Sequence, residues 1–143
     1  MSKTVRPAIR FNTPDVWGIE NYPYCQAAVE PAGHRVHVAG QVAWTVEREL
    51  VGPDDPTAQT EKTIDNIETI LSAMGGSIHD VISVTMYYVR DEDLAAIRDV
   101  RGRRFGLEHG PASTGVKVAG LVRPELLVEM SAIAVIPEAR FKL

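Results

Sequence analysis

The sequence has almost no cysteine and no long hydrophobic run. Its 143 residues include one cysteine, Cys25, which excludes an intrachain disulfide and is typical of a reducing compartment. Residues 1–12 lack the apolar segment of a secretory signal, and the apolar run at 132–136 is far too short to span a membrane. We therefore expect a soluble, cytoplasmic protein with no membrane partner.

Positive charge is also scarce. Fifteen Lys and Arg residues stand against nineteen Asp and Glu, a net charge of −4, whereas nucleic-acid binders usually carry a basic field. Four arginines do cluster at 98–104, and such a run can bind phosphate or nucleic acid. More often it forms a solvated helix face, and the acidic residues at 91–93 and 99 lie close enough to offset it. We therefore do not expect a nucleic-acid partner.

Several common catalytic and cofactor motifs are missing. The Gly-Gly-Ser at 75–77 lacks the lysine and spacing of a phosphate loop, the two glycines at 102–106 sit inside a helical pattern, and no G-x-S-x-G occurs. His34 and His37 are three apart on a predicted strand, so they face opposite sides and read as ordinary sheet residues rather than metal ligands. Cys25 is a candidate nucleophile, but a buried structural thiol is the preferred interpretation. We expect no metal and no cofactor.

Strand and helix patterns alternate after an irregular arm at 1–21. The predicted elements are strands at 24–30 and 34–41 joined by a hairpin-like turn, a helix from Asp55-Pro56 to Gly75, a strand at 81–89, a helix at 92–108, and two strands between 113 and 136 broken at Arg123-Pro124. The inner positions of the second helix are Leu94, Ile97, Phe105 and either Val100 or Arg101.

The order β-β-α-β-α-β-β predicts one α+β domain over residues 1–143. Two helices would cover one face of a mixed sheet of four to six strands. The other face still carries valine, tyrosine and isoleucine. A large exposed apolar face usually marks an interface, so we expect a homo-oligomer.

One charged residue interrupts the last strand. Glu129 lies between Val128 and Met130, and a carboxylate inside an apolar strand costs several kcal/mol unless it is paired or hydrogen-bonded. Such a residue is a functional candidate. The alternative is that its face reaches solvent or an interface arginine.

Five ordered segments of the chain resemble one known family. They are residues 23–27 (PYCQA), 38–41 (VAGQ), the helix segment 65–75, residues 111–116 (PASTGV) and residues 128–135 (VEMSAIAV). Together they resemble the motifs of the Rid family, the YjgF-like reactive-intermediate deaminases that are also called the endoribonuclease L-PSP family. The resemblance covers residues 22–136.

This resemblance implies a chorismate-mutase-like α+β fold and a homotrimer with clefts between neighbouring subunits. Members of the best-known branch hydrolyse imines and enamines to ketones and ammonia without metal or cofactor. In that branch an arginine binds the substrate carboxylate with two donors, and a glutamate orients the attacking water. By the same resemblance, Glu129 is the water-orienting glutamate, Tyr24 the cleft tyrosine, Gly40 a cleft backbone position and Tyr87 an aromatic wall.

The sequence departs from the family where the arginine should be. That position is Ser113, and a neutral serine cannot form a two-pronged ionic contact with a carboxylate. We expect Ser113 and Thr114 to bind the substrate by neutral hydrogen bonds or backbone N–H groups. Arg123 is a candidate replacement cation, if its loop folds over the cleft.

The resulting expectation is a cofactor-free hydrolytic deaminase of a small enamine, imine or related unsaturated amino compound, acting in a cleft between subunits. One alternative is a small-ligand-binding trimer of the same family that has lost catalysis, which the missing arginine motivates. The other is an endoribonuclease, an activity that some family members have been assigned. The acidic composition does not favour it.

Overall fold

The computed structural model describes residues 8–17 and 22–143. Residues 1–7 and 18–21 of the predicted arm lie outside the described residues. The strands are β1 (Ile9–Phe11), β2 (Ala27–Val29), β3 (His34–Gln41), β4 (Val81–Tyr88), β5 (Ala112–Lys117) and β6 (Val128–Ile136), and the helices are α1 (Pro56–Ala73) and α2 (Leu94–Phe105). Within the described ranges, neither helix is long and apolar enough to cross a membrane.

Four strands form one mixed sheet in the order β3-β6-β4-β5. The β4 and β5 strands run parallel, because α2 connects them as a crossover, and the other neighbours pair antiparallel. The register places Glu129 opposite Tyr87 and Ser113 opposite Val84. The predicted α+β class is confirmed.

Both helices pack on one face of this sheet. Asp55 caps α1 by accepting a hydrogen bond from the Ala58 N–H at 3.0 Å, and Pro56 occupies the first turn, as the sequence predicts. The stripe of Ile64, Ile67 and Leu71 is fully buried against the sheet. The apolar side chains of β4 and β6 complete this core.

Helix α2 buries one charged residue together with its apolar face. Ile97, Val100 and Phe105 lie in the core, and Arg101 is only 4% exposed. Both inner positions that the sequence left as alternatives, Val100 and Arg101, are therefore buried. A fully buried arginine is rare unless it is paired, so its surroundings require an explanation.

The predicted pairing of the first two strands is wrong. Strand β2 pairs with β1, and Cys25 just before it forms a bridge to Ala112 at the start of β5. Strand β3 pairs with β6 instead. The nine-residue β6 can satisfy the backbone of β3 over most of its length, which a three-residue strand cannot.

The second face of the four-stranded sheet carries no helix within the described part of the chain. We call it the open face. It holds the half-buried side chains of Thr85, Tyr87, Glu129, Ser131 and Ile133. Association of copies through this face remains a prediction.

Candidate active site

Glu129 lies on the open face, in the middle of the sheet. Its neighbour across β4 is Tyr87, and its neighbour on the β3 side is Gly40. The strand alternation that buries Val128 and Met130 against the helices turns Glu129 the other way. Three of the residues expected in the cleft therefore share one side of the sheet.

The absence of a side chain at Gly40 makes room for the Glu129 carboxylate. A Cβ atom added at Gly40 would lie 2.1 Å from Oε1 of Glu129, far inside contact distance. Within residues 8–17 and 22–143, Glu129 forms no ion pair. The carboxylate oxygens are thus available to accept hydrogen bonds from a water or a ligand.

Ser113 lies on the opposite face of the sheet from Glu129. It pairs with Val84, which points into the core under the helices, whereas Glu129 pairs with Tyr87. Val84 and Tyr87 are three residues apart on one strand, so their side chains point to opposite faces. A single chain therefore does not bring Ser113 and Glu129 together.

Ser113 contacts the buried arginine of helix α2. A terminal guanidinium nitrogen of Arg101 donates a hydrogen bond to Ser113 Oγ at 2.8 Å. The Nε–H of Arg101 is buried and has no hydrogen-bond partner among the described residues. A guanidinium cation therefore stands beside the strand position where the family resemblance places an arginine.

Arg101 and Ser113 line a cavity of about 240 Å³ on the helix side of β5. This volume is below the roughly 300–1,000 Å³ of sites for drug-sized ligands, so the cavity suits a smaller molecule. Its other lining residues are Trp17, Tyr24, Met86, Tyr88, Leu94, Arg98 and Gly115. We call it the β5 cavity.

A stacked column of side chains holds Tyr24 at this cavity. The Tyr24 ring stacks on Tyr22, with centroids 5.2 Å apart and planes 7° apart, and the Arg98 guanidinium lies 4.9 Å from the Tyr22 centroid. Stacking and cation–π contacts of this kind each contribute about 0.5–1.5 kcal/mol. Tyr24 is therefore placed with Ser113, away from Glu129.

Neither Thr114 nor Arg123 lines the β5 cavity. Thr114 pairs with Thr85 and so faces the open side of the sheet, where it is exposed. Arg123 is an exposed loop residue that does not line the β5 cavity. Its loop borders a larger groove of about 630 Å³, where Arg90 is already paired with Asp54 and Asp93.

The four arginines of helix α2 lie in two different environments. Arg103 and Arg104 form ion pairs with acidic side chains, Glu61 among them, as expected for a solvated face. Arg98 and Arg101 make no ion pair in the part of the chain that the structure describes, and both line the β5 cavity. The positive charge at this cavity is therefore not neutralised by the described side chains.

Cys25 is not arranged as a nucleophile, and His34 and His37 are not arranged as a pair of metal ligands. Burial raises the pKa of the Cys25 thiol, which disfavours the thiolate needed for nucleophilic attack. His34 and His37 sit on opposite faces of β3, as predicted. The described residues contain no group of three or more His, Cys, Asp or Glu side chains that could hold a metal ion.

Sequence reasoning missed Arg101 as a site residue. Its signal was present, since a charged residue at an inner helix position is expensive unless a partner or a ligand satisfies it. The pairing with Ser113 was not readable, because it depends on how α2 lies across β5.

Comparison with known proteins shows which family the chain resembles. Residues 19–136 match the family model described as Endoribonuclease L-PSP. A RutC family protein of Pyrococcus abyssi is 38% identical over 112 residues, which cover 78% of this chain and 85% of that protein.

Solved structures share the fold. YyfB of Yersinia pestis, described as a protein of unknown function of the conserved Rid family, superposes with a TM-score of 0.83 at 30% identity, covering 92% of this chain and 100% of that one. RidA from an Antarctic Psychrobacter superposes with a TM-score of 0.66 at 32% identity, covering 79% and 88%.

Proposed function

Because the chain belongs to the Endoribonuclease L-PSP family, also called the Rid or YjgF family, we propose that it is a cofactor-free hydrolytic deaminase of a small imine or enamine. One observation carries the proposal. The Glu129 carboxylate lies over Gly40 with no ion-pair partner among the described residues. A carboxylate kept free of cations is suited to accept a hydrogen bond from water.

The chemistry assigned to Glu129 is that of a water-orienting base. Its carboxylate accepts a hydrogen bond from water and takes a proton as the water oxygen bonds to the imine carbon. Glu129 returns this proton to the imine nitrogen, which gives a carbinolamine. The carboxylate then takes the proton of the carbinolamine hydroxyl group and delivers it to the amino nitrogen as the carbon–nitrogen bond breaks, so the nitrogen leaves as ammonia. One imine and one water give one ketone and one ammonia.

The position of the site follows from the two faces of the sheet. Glu129, Gly40 and Tyr87 lie on the open face, whereas Tyr24 and Ser113 lie at the β5 cavity on the other face. These two groups can act on one substrate only if a second copy brings its open face to the β5 edge. This separation supports a cleft shared between subunits of a homotrimer, as the family resemblance implies.

The charge distribution supports a small substrate rather than RNA. The net charge is −4, and Arg103 and Arg104 already form ion pairs with acidic side chains. RNA binding draws on many unpaired cations that contact phosphates. The β5 cavity, at about 240 Å³, has a size that suits a small molecule.

The first prediction concerns Glu129. Replacing it with glutamine keeps the shape but removes the charge that orients and deprotonates water. We expect ammonia release from freshly generated 2-iminobutyrate to fall by about 100-fold or more. The measurement is the initial rate of ammonia formation above the uncatalysed background, for wild type and Glu129→Gln.

Glu108→Gln is the matched control, since Glu108 is an exposed glutamate in the turn after α2. It should retain the wild-type rate. Wild-type rates at background for 2-iminobutyrate and for aminomuconate-like enamines would contradict the deaminase. They would leave the non-catalytic ligand-binding trimer as the better account.

A further inference from the structure

We propose that Arg101, supplied by helix α2 and held by Ser113, is the anion-binding residue of the β5 cavity, which therefore takes a small carboxylate. This inference rests on the proposed function for the site's role in catalysis, and it names the substrate class. It assigns the cation to a helix residue rather than to the strand position or to Arg123.

The geometry places the guanidinium at the edge strand. Arg101 reaches from α2 to the strand, where a terminal guanidinium nitrogen donates a hydrogen bond to Ser113 Oγ at 2.8 Å. A guanidinium has five N–H donors in a fixed fork. One bond to Ser113 fixes the group and leaves donors for two parallel hydrogen bonds to a carboxylate.

Among residues 8–17 and 22–143, no acidic side chain accounts for the burial of Arg101. The residue is 4% exposed, and its Nε–H has no partner in residues 8–17 and 22–143. An unsatisfied buried donor costs about 1–3 kcal/mol, and more when the group is charged. A bound carboxylate would satisfy this donor and compensate the charge.

The surroundings favour an anion as well. The described lining of the β5 cavity contains a second guanidinium, Arg98, and no carboxylate. The pKa of Arg101 is lowered to about 10, mainly by burial, with an opposing effect of Tyr24 and a smaller lowering by the Arg98 charge. A group with a pKa near 10 is still protonated at neutral pH, so the cavity presents a cation to its ligand.

A purely structural role is the competing explanation. Arg101 could simply brace β5 against α2 through Ser113. The two roles differ in one respect, because an anion site favours an anionic ligand over a neutral analogue of similar shape, whereas a brace between α2 and β5 does not.

The experiment measures binding of pyruvate, and of its neutral analogue pyruvamide, by isothermal titration calorimetry. Wild type should bind pyruvate at least tenfold more tightly than pyruvamide. Arg101→Gln should weaken pyruvate binding by about 10- to 100-fold, as expected for a lost charged hydrogen bond. Arg103→Gln, on the same helix but exposed and ion-paired to Glu61, should leave it unchanged.

The preference for pyruvate over pyruvamide separates the two roles, and the double variant Arg101→Ser with Ser113→Arg tests whether the cation can also act from the strand. It moves the cation to the strand, and we expect it to restore pyruvate binding to within about tenfold of wild type. Unchanged affinity in a folded Arg101→Gln protein, or equal affinity for pyruvate and pyruvamide, would overturn the inference.

If Arg101→Gln does not fold, as judged by circular dichroism, the double variant decides. Restored pyruvate binding supports the inference, and a folded double variant without binding contradicts it. Binding is measured without turnover, so a wild type that binds pyruvate through Arg101 but releases no ammonia would refute the deaminase alone.

Discussion

The position of Glu129 depends on a side chain that is missing at Gly40. The carboxylate occupies the space that a Cβ at Gly40 would take, 2.1 Å from Oε1. Glycine at position 40 leaves room for the Glu129 carboxylate. Its backbone conformation is one that other residues can also adopt. A methyl group at this point would push the carboxylate aside without disturbing the core.

This arrangement predicts a specific effect of Gly40→Ala. The contact involves the end of a flexible side chain at an exposed position, so the free energy of unfolding should change by less than about 1 kcal/mol. The rate of imine hydrolysis should fall by about tenfold or more, because misplacing a catalytic group by 1 Å can cost about 100-fold. Steady-state kinetics and urea denaturation measure the two quantities.

Gly120→Ala is the control, since a Cβ at Gly120 meets nothing within 4 Å. It should change neither quantity. A Gly40→Ala protein with wild-type activity would show that the carboxylate does not need its present position.

At the scale of single residues, the sequence predicted which face of a strand a residue occupies, but it did not predict which side chains contact each other. The alternation of β6 predicts that Glu129 lies on the face opposite Val128, and the family motifs predict that Gly40 and Tyr87 lie near it. Ser113 and Thr114 are adjacent on β5 and therefore point to opposite faces, which a shared substrate-binding role did not take into account. The role of each residue stays a prediction.

Among the elements, both helices and the longer strands follow from periodicity and caps. The α1 boundaries agree with Asp55, Pro56 and Gly75 because those residues act locally. The partner of β2 did not follow, since pairing depends on which distant strand lies alongside. The three-residue β1 is that partner, and so short a segment carries almost no periodic signal.

A histidine stack joins two of the turns between elements. His79, in the turn before β4, stacks on His109, in the turn before β5, with centroids 4.2 Å apart. Arg10 of β1 donates hydrogen bonds to the carbonyls of His79 and Gly110 beside them. Burial lowers the pKa of His79, and the charges of His109 and Arg10 lower it further, against smaller opposing effects of Asp80 and Glu68.

This stack predicts a loss of stability in mild acid. The pKa of His79 is lower in the folded state than in the unfolded chain, where it is near 6.5, so the unfolded state binds more protons below that pH. Stability should be complete above about pH 6.5 and should fall as the pH drops below it. Thermal unfolding at pH 7.5 and pH 5.5 measures the effect.

His109→Asn should reduce the difference in melting temperature between these two pH values, because it removes one of the charges that oppose protonation of His79. His37→Asn, at an exposed position on β3, should leave the difference as in wild type. An unchanged pH dependence in His109→Asn would show that the stack does not influence the titration of His79.

Across the whole molecule, the two halves of the proposed site lie on opposite faces of one sheet. Glu129 from one copy would then act with the β5 cavity of a neighbour. Fold class was predictable from two helices that cover one face, and the association of copies stays a prediction. Which residues meet across the interface was not predictable, because that depends on how the copies are arranged.

This division predicts complementation between two inactive variants. In trimers assembled from equal amounts of Glu129→Gln and Arg101→Gln chains, a site is intact when one subunit supplies Glu129 and its neighbour supplies Arg101. Random assembly makes about a quarter of the sites intact, since each requirement is met half the time. Ammonia release should recover to about a quarter of the wild-type rate after mixing in denaturant and refolding.

Each variant refolded alone should remain at its own low rate, and native mass spectrometry should find mixed trimers. Mixed trimers that show no recovered activity would place both residues in the same half of the site, or in separate sites. Species smaller than trimers would contradict the homotrimer.

Carrying the cation on α2 rather than on β5 also has an evolutionary consequence. Arginine at both positions would add a third guanidinium to a cavity of about 240 Å³ that Arg98 and Arg101 already line, and arginine at neither would remove the cation beside the strand. Each single substitution between the two arrangements therefore passes through an impaired protein. Lineages carrying one arrangement should rarely convert to the other, which would make Arg101 with Ser113 an inherited marker of descent as well as a feature of the site.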